Sequence, residues 1–372
     1  MFDRYYCGMN TSERLCLISC AAVPGVGRAT LERVKKSLQK YQVSWCEAWH
    51  SSLADLSVFG FKEKQAESVV HMREKYSPET YQEMLVQKNI KVFLSDEVEY
   101  PKLLKEIPDK PFLLFVKGPE YFWNTKPIAI VGTRHITSYG TFVTKKITRE
   151  LAEQGATIIS GFMYGVDEVA HRSAVSSHGK SIGVLGFGFE CMYPHSLQHF
   201  SQEFLEAGNT FITEFPPECA PRPGNFPMRN RIVAGLSRAV VVTEAAEKSG
   251  SFITVQCALD YNRCVCSVPG PISSIYSDGT RALINEGAKL VSSGEEILQE
   301  AGLRFEKKID TAEKINLKSD IEKEVYSLLR HHHATADELF TLLQRPLSEV
   351  LTALTLLEME GIIQKVGEVY HP

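Results

Sequence analysis

Three short segments of this 372-residue chain set cations beside small residues, the combination an anion needs. One is Lys248-Ser249-Gly250-Ser251, which follows an apolar run at Val240 to Val242 and precedes a helical pattern. Small residues at a strand-to-helix turn leave backbone N–H groups open to an anion, and the helix dipole and the Lys248 ammonium add to the attraction. The spacing is not that of a Walker A loop, so nucleotide hydrolysis does not follow. A tight turn with a solvated lysine is the plainer alternative. A second segment, Phe226-Pro-Met-Arg229-Asn230-Arg231, puts two arginines and an asparagine at the start of an apolar helix. Residues two apart do not share a helical face, so one arginine is free to reach a phosphate while the other pairs with an acid such as Glu214 or Glu244. The third is the loop Gly132-Thr133-Arg134, whose guanidinium can grip a phosphate or stack on a base.

Other constellations carry less. Asp167 and His171 are four apart and therefore on one helical face, as an acid/base pair or two metal ligands would be. No third ligand or nucleophile accompanies them, and a buried hydrogen bond organising the loop from Gly161 to Gly165 is the expected role. Gly179-Lys-Ser181-Ile-Gly183 has the lettering of a nucleophile elbow, but Ser181 begins a strand instead of ending one. His331-His332-His333 is compact enough for a metal, yet at a helix C-terminus it more simply complements the dipole. The nine cysteines form no pair of CxxC units and read as reduced thiols of a cytosolic protein, so no metal and no cofactor are expected.

The elements that must position these residues are legible from the spacing of apolar side chains. Between about Lys91 and Val291, short apolar runs alternate with helical patterns: Ile128 to Val131, Thr157 to Ile159, Ser181 to Leu185, Thr210 to Thr213, Ala239 to Val242 and Cys264 to Val268. Continuous apolar strands between helices predict an α/β fold, a mostly parallel Rossmann-like sheet with helices on both faces. Several runs end in glycine loops, at Gly132, Gly161 and Gly186, and ligands of open α/β sheets bind at those carboxyl ends. Residues 1–88 read as a small helical domain, and 89–300 as the core. The stretch Val23-Pro-Gly-Val-Gly-Arg in the helical domain is similar to a helix-hairpin-helix turn, which either offers N–H groups to a phosphate or simply joins two packed helices. Residues 301–319 read as a linker, and 320–372 as a winged-helix-like domain of three helices and a two-stranded wing. Its third helix, Ser348 to Glu360, carries Glu349, Glu358 and Glu360 and no Lys or Arg, so protein contact suits it better than the major groove.

Composition sets outer limits. The content of 44% hydrophobic and 23% charged residues is that of a folded globular protein. A net charge of −4 argues against a broad basic surface, so any nucleic-acid site must be local. No stretch approaches the roughly 20 apolar residues of a membrane helix. Leu15 to Val23 faintly resembles the end of a lipoprotein signal, but the charges at Asp3 and Glu13 and the short apolar core speak against it.

In chain order the motifs resemble the DNA-processing protein A family (DprA/Smf). They are Ile130-Val-Gly-Thr-Arg134 with Thr137 to Gly140, Ser160 to Asp167 with Ala170-His171, and Val184 to Gly188 with Tyr193-Pro194. Glu214 to Pro217, Phe226 to Arg231 with Gly235-Leu-Ser237, Glu244-Ala245 with Lys248 to Ser251, and Val268-Pro-Gly270 complete the series. The chain departs from the family pattern at Met163 and Tyr164, which replace small residues, at Glu190 for Asp and at Phe252 for Leu, changes that bear on pocket shape. The resemblance implies an extended Rossmann fold, single-stranded DNA binding in a basic pocket, a homodimer, and loading of a RecA-type recombinase during transformation or repair, without catalysis. Carried over position by position, the strand-binding residues are Gly132, Thr133, Arg134, Arg229, Asn230, Arg231, Lys248, Ser249, Gly250 and Ser251. The rival readings are a Rossmann-like nucleotide phosphoribohydrolase, whose Pro-Gly-Gly-x-Gly-Thr-x-x-Glu pattern is missing, and a protein-interaction scaffold.

Overall fold

A computed structural model describes residues 10–119, 125–304, 317, 319–329 and 333–371. His331, His332 and most of the expected linker lie outside the described residues. The chain divides into two compact units, residues 1–305 and 306–372.

The larger unit begins with the helices Thr11–Ala22, Arg28–Tyr41, Trp45–His50, Leu53–Val58, Glu63–Lys75 and Pro78–Gln87. Several are short because the chain starts them deliberately. Asn10, Ser44, Ser52 and Ser77 each accept a hydrogen bond from the third residue of their helix, and Glu47 closes a capping box with Ser44. Their apolar sides, including Leu17, Val34, Trp49, Leu56 and Leu85, share one core with Val92, Leu94 and Phe115 of the sheet that follows. Each such buried side chain contributes roughly 1.5–3 kcal/mol.

Among the described residues that sheet has nine strands: β1 Ile90–Leu94, β2 Leu113–Lys117, β3 Lys126–Val131, β4 Ala156–Ser160, β5 Lys180–Val184, β6 Thr210–Thr213, β7 Ala239–Val242, β8 Cys264–Ser267 and β9 Lys289–Leu290. Their order is β1-β2-β6-β5-β4-β3-β7-β8-β9. The pairs β1–β2 and β2–β6 are antiparallel and the others parallel, so the mostly parallel α/β sheet expected from the apolar runs is present. The antiparallel pair β1–β2 at one edge is an addition that the alternation of strands and helices did not announce. Central strands are apolar throughout because both faces are covered: Ile128 and Ile130 join one core, Ala129 and Val131 the other.

Chain direction defines where a ligand can enter. From β3 the chain steps through β4, β5 and β6 on one side, then returns to place β7 on the other side of β3. The helix after β3, Ser138–Glu153, sends Val143 and Ile147 into one core, whereas the helix after β7, Ser251–Asp260, sends Val255 and Ala258 into the opposite one. Adjacent strands whose connections leave to opposite faces open a crevice at their carboxyl ends.

The smaller unit has the helices Asp320–Leu329, Ala336–Leu343 and Leu347–Met359 and the strands β10 Ala334–Thr335, β11 Gln364–Val366 and β12 Val369–His371, in the order β10-β12-β11. Its core includes Val325, Leu339, Leu354, Leu357 and Tyr370. The arrangement is a winged helix. The wing carries a third, two-residue strand beyond the two expected, because Ala334 pairs with Tyr370 before Thr335 caps the next helix.

Candidate functional site

The loops after β3, β4 and β7 are pressed together by backbone. Thr133 N–H donates to the Glu244 carbonyl at 2.7 Å, and Val166 N–H donates to the Thr133 carbonyl at 3.1 Å. Glycine is required at two of these approaches. A Cβ on Gly132 would sit 2.5 Å from the Glu244 carbonyl oxygen, and Gly165, at φ +79°, faces the Thr133 carbonyl at 2.2 Å from any Cβ. Glu244 completes the clamp from within: its buried carboxylate accepts from the Thr137 N–H at 2.8 Å and from the Thr137 hydroxyl.

Between these loops and the helix Asn225–Gly235 lies a cavity of about 630 Å³ at the crevice between β3 and β7. It brings together Gly132, Thr133, Arg134, Arg229, Asn230, Lys248, Ser249, Gly250 and Ser251. Arg134 and Lys248 are exposed, and neither forms an ion pair among the described residues. The Arg134 guanidinium carbon lies 6.0 Å from the centre of the Phe226 ring, within the range of a cation–π contact. Opposite it, Gly250, which has no side chain to cap with, begins the helix Ser251–Asp260, whose first turn carries no acid. The positive dipole end of that helix therefore faces the cavity, with the first-turn N–H groups of Ser251, Phe252 and Ile253 taken by the Ser249 hydroxyl, the Ser249 carbonyl and the Gly250 carbonyl, and the Ser249 and Ser251 hydroxyls, 2.8 Å apart, at its mouth.

The two arginines of the Asn225–Gly235 helix behave differently from that pair. Arg229 is 4% exposed, and its Nη1 donates to the carbonyls of Gly161 and Val184. Burial is the main influence on its pKa and pushes it down to about 10, against the pull of Asp167. It forms part of the cavity's floor. Arg231 does not reach the cavity at all, which corrects its placement among the strand-binding residues. Two positions further round the helix, it is buried in an ion pair with Glu214 and lies 3.9 Å from Asp109. A guanidinium removed from water needs such a partner.

Asp167 is partly exposed in the cavity wall yet densely enclosed, and burial raises its pKa against the opposing pull of Arg229 and of its polar neighbours Ser160, Met163 and Gly161. His171 turns away: its Nδ1 lies 2.8 Å from the Ser181 hydroxyl, its ring packs on Phe162 and Phe204, and burial with the nearby Arg229 charge lowers its pKa to about 3. Ser181 is buried and donates to the Ile158 carbonyl at 3.0 Å, a bond between strands. Among the described residues no three His, Cys, Asp or Glu side chains gather as a metal ion would need, and no helix is long and apolar enough to cross a membrane.

Cations dominated the reading of the sequence, and the aromatic rim escaped it. Tyr164, Tyr193 and Phe226 line the cavity, Tyr164 and Tyr193 with 42% and 36% of their surface exposed, and the rings of Tyr193 and Phe226 lie 5.9 Å apart. The available signal was their position: aromatics in the loops that follow β4 and β5, where solvent-exposed rings have no packing reason to be.

Residues 91–302 match the family described as DNA recombination-mediator protein A. The chain belongs to that family. Residues 310–367 match the DprA winged helix domain. Protein Smf of Synechocystis sp. is 36% identical over 299 residues, covering 79% of this chain and 74% of that one. The DNA processing protein DprA of Bacillus subtilis is 39% identical over 203 residues, 54% of this chain and 68% of that one. Among solved structures, DNA processing protein A of Streptococcus pneumoniae superposes with a TM-score of 0.64 at 30% identity, covering 80% of this chain and 99% of that one. DNA processing protein A of Helicobacter pylori, described in terms of its single-stranded DNA binding mode, gives a TM-score of 0.51 at 29% identity over 56% of this chain and 94% of that one.

Proposed function

We propose that the cavity between β3 and β7 binds single-stranded DNA and that the chain serves, as a homodimer in the cytosol, as a recombination mediator that passes the strand to a RecA-type recombinase. One observation carries the reading: two exposed cations without an ion pair among the described residues, the positive end of a helix and a rim of aromatic rings converge on one cavity. Phosphate needs the first two, and an unstacked base needs the third. The base pairs of a duplex keep their faces stacked on one another, so the aromatic rim favours single strands. Membership of the recombination-mediator family and the strand-binding relative in Helicobacter pylori point the same way. The residues expected to hold the strand are Gly132, Thr133, Arg134, Asn230, Lys248, Ser249, Gly250 and Ser251, with Arg229 shaping the floor. Asp167 is the feature that would suit a nucleotide hydrolase, but it is the single carboxylate among the described residues that line the cavity, and no free base is expected from nucleoside monophosphates. A gel-shift comparison of single-stranded and duplex oligonucleotides tests the proposal. Single strands should bind more tightly, with an affinity that falls with salt, and equal affinity for duplex would refute it.

A further inference from the structure

A second cavity, of about 410 Å³, lies beside the first, and residues 222–228 border both. Pro223, Phe226 and Pro227 line the pocket described above, while Arg222, Asn225 and Met228 line this one. Across from them stands the glycine turn from Pro24 to Gly27, and Val26, Leu31, Phe112 and Phe215 supply apolar walls.

Two independent features set this cavity apart from a packing defect. Glu214 lines it with a side chain only 9% exposed; one carboxylate oxygen is taken by Arg231, and the other, Oε1, has no hydrogen-bond partner among the described residues. A buried acceptor left open is costly, and a ligand that donates to it removes that cost. Second, the helix Arg28–Tyr41 starts at Gly27 with no side-chain cap and no acid in its first turn, and Arg222 is exposed without an ion pair among the described residues. An anion is therefore welcome at the mouth. The other charges there are Arg28, which pairs with Glu32, and the exposed Glu218.

We propose that this cavity is a second nucleotide subsite, entered by the same single strand after it crosses the ridge of residues 222–228. Flat apolar walls suit the faces of a base, Glu214 Oε1 accepts from a ring N–H or exocyclic amine, and Arg222 with the Gly27 turn holds the adjoining phosphate. The inference rests on the strand-binding reading of the first pocket, and the two separate by strand length.

The experiment uses the full chain and fluorescence anisotropy with oligodeoxycytidylates of increasing length. Wild-type affinity should step up about tenfold once the strand is long enough to cross the ridge, the scale of one stacked base. Ala220→Trp, at an exposed position in the wall, fills the cavity and should abolish the step while leaving short-strand affinity and melting temperature unchanged. Arg222→Ala should shrink the step and reduce the log–log salt slope by roughly 0.7. Abasic residues in the outer part of the strand should remove the step as Ala220→Trp does. A step that persists in Ala220→Trp or with abasic strands, or the lack of any step in wild type, overturns the subsite and leaves the cavity to an apolar protein side chain. A wild-type chain that binds no strand of any length overturns the first pocket as well.

Discussion

The rim and the floor of the β3–β7 cavity both carry cations, and they use them in opposite ways. At the rim, Arg134 and Lys248 are exposed and form no ion pair among the described residues; beneath it, Arg229 is engaged by two backbone carbonyls, and Arg231, behind the floor, by Glu214. The difference is one of solvation. A cation that remains in water keeps its charge available to a ligand, whereas a cation taken from water must be fully partnered and then serves the fold. Basic residues within one motif are therefore not interchangeable evidence of a binding site, and each has to be located before it is given a role.

Removing a floor cation is expected to have the largest effect. Arg231→Ala would leave the Glu214 carboxylate buried without its partner, a loss on the order of 3–5 kcal/mol. Arg229→Ala would strand the carbonyls of Gly161 and Val184, with Asp167 losing the charge beside it. Urea unfolding of the larger unit checks both. If either variant unfolds like wild type, the separation between rim and floor collapses.

At the rim the sign of the result reverses. Arg134→Ala and Lys248→Ala should each cost about 1–3 kcal/mol of single-strand affinity, the scale of a charge-assisted hydrogen bond. The melting temperature should hold, because neither side chain has an ion pair to lose among the described residues. Each change should also lower the salt slope by roughly 0.7. Titrations at several salt concentrations, alone and for the double variant, sharpen the comparison, and unchanged affinity in all three would move the DNA site elsewhere.

The floor also makes stability depend on pH. His171 is buried beside the Arg229 charge, and its pKa falls to about 3 in the folded chain from an ordinary value near 6.5. The unfolded chain thus takes up a proton that the folded chain refuses. The stability this group contributes is fully present above pH 6.5 and drains away as the pH falls from 6.5 toward 3. The slope can reach about 1.4 kcal/mol per pH unit. Asp167 works in the opposite direction, since its raised value lets the folded chain hold a proton longer, but this enters only nearer the carboxylate range. Unfolding free energies measured between pH 6.5 and 5 should fall steeply in wild type and more gently in His171→Phe. Parallel curves would mean that His171 is not held neutral.

Much of this layout could be read from residue order alone, and the gaps have physical reasons. Ile128 to Val131 and Ala239 to Val242 declare buried parallel strands because every side chain is apolar, and the glycine loops that follow them point to the crevice. The Arg229–Arg231 spacing showed that the two must diverge, and Glu214 was one of two acids considered as a partner. Which arginine faces the cavity depends on how the helix is rotated against the sheet, and that is decided by tertiary packing. The antiparallel edge β1–β2 escaped for a similar reason, since pairing Ile90 with Lys117 is a long-range choice. Tyr164 stands out in the sequence as a departure from the family pattern, whereas its exposure as a surface on which a base can stack is set by the loop that carries it.

The winged helix extends the comparison to one surface with neither kind of cation, that of its last helix. Its third helix, Leu347–Met359, presents Leu351, Leu356 and Met359 to solvent, with Glu349, Glu358 and Glu360 along or just beyond it, and no Lys or Arg. Phosphate would meet repulsion there, so this unit should add little to strand binding. A chain ending before Asp320 retains the larger unit with its own cores and should bind single strands within a few-fold of wild type, with an unchanged salt slope. The exposed leucines and the acidic charge suit a protein partner, so partner binding is what the truncation should impair. Both readouts belong in one experiment: strand affinity by anisotropy across salt, and far-UV circular dichroism to establish that the truncated chain is folded. A tenfold loss of strand affinity, about 1.4 kcal/mol, in a folded truncation would show that the unit touches DNA despite its charge. A salt slope that fell at the same time would locate that contact on the phosphates.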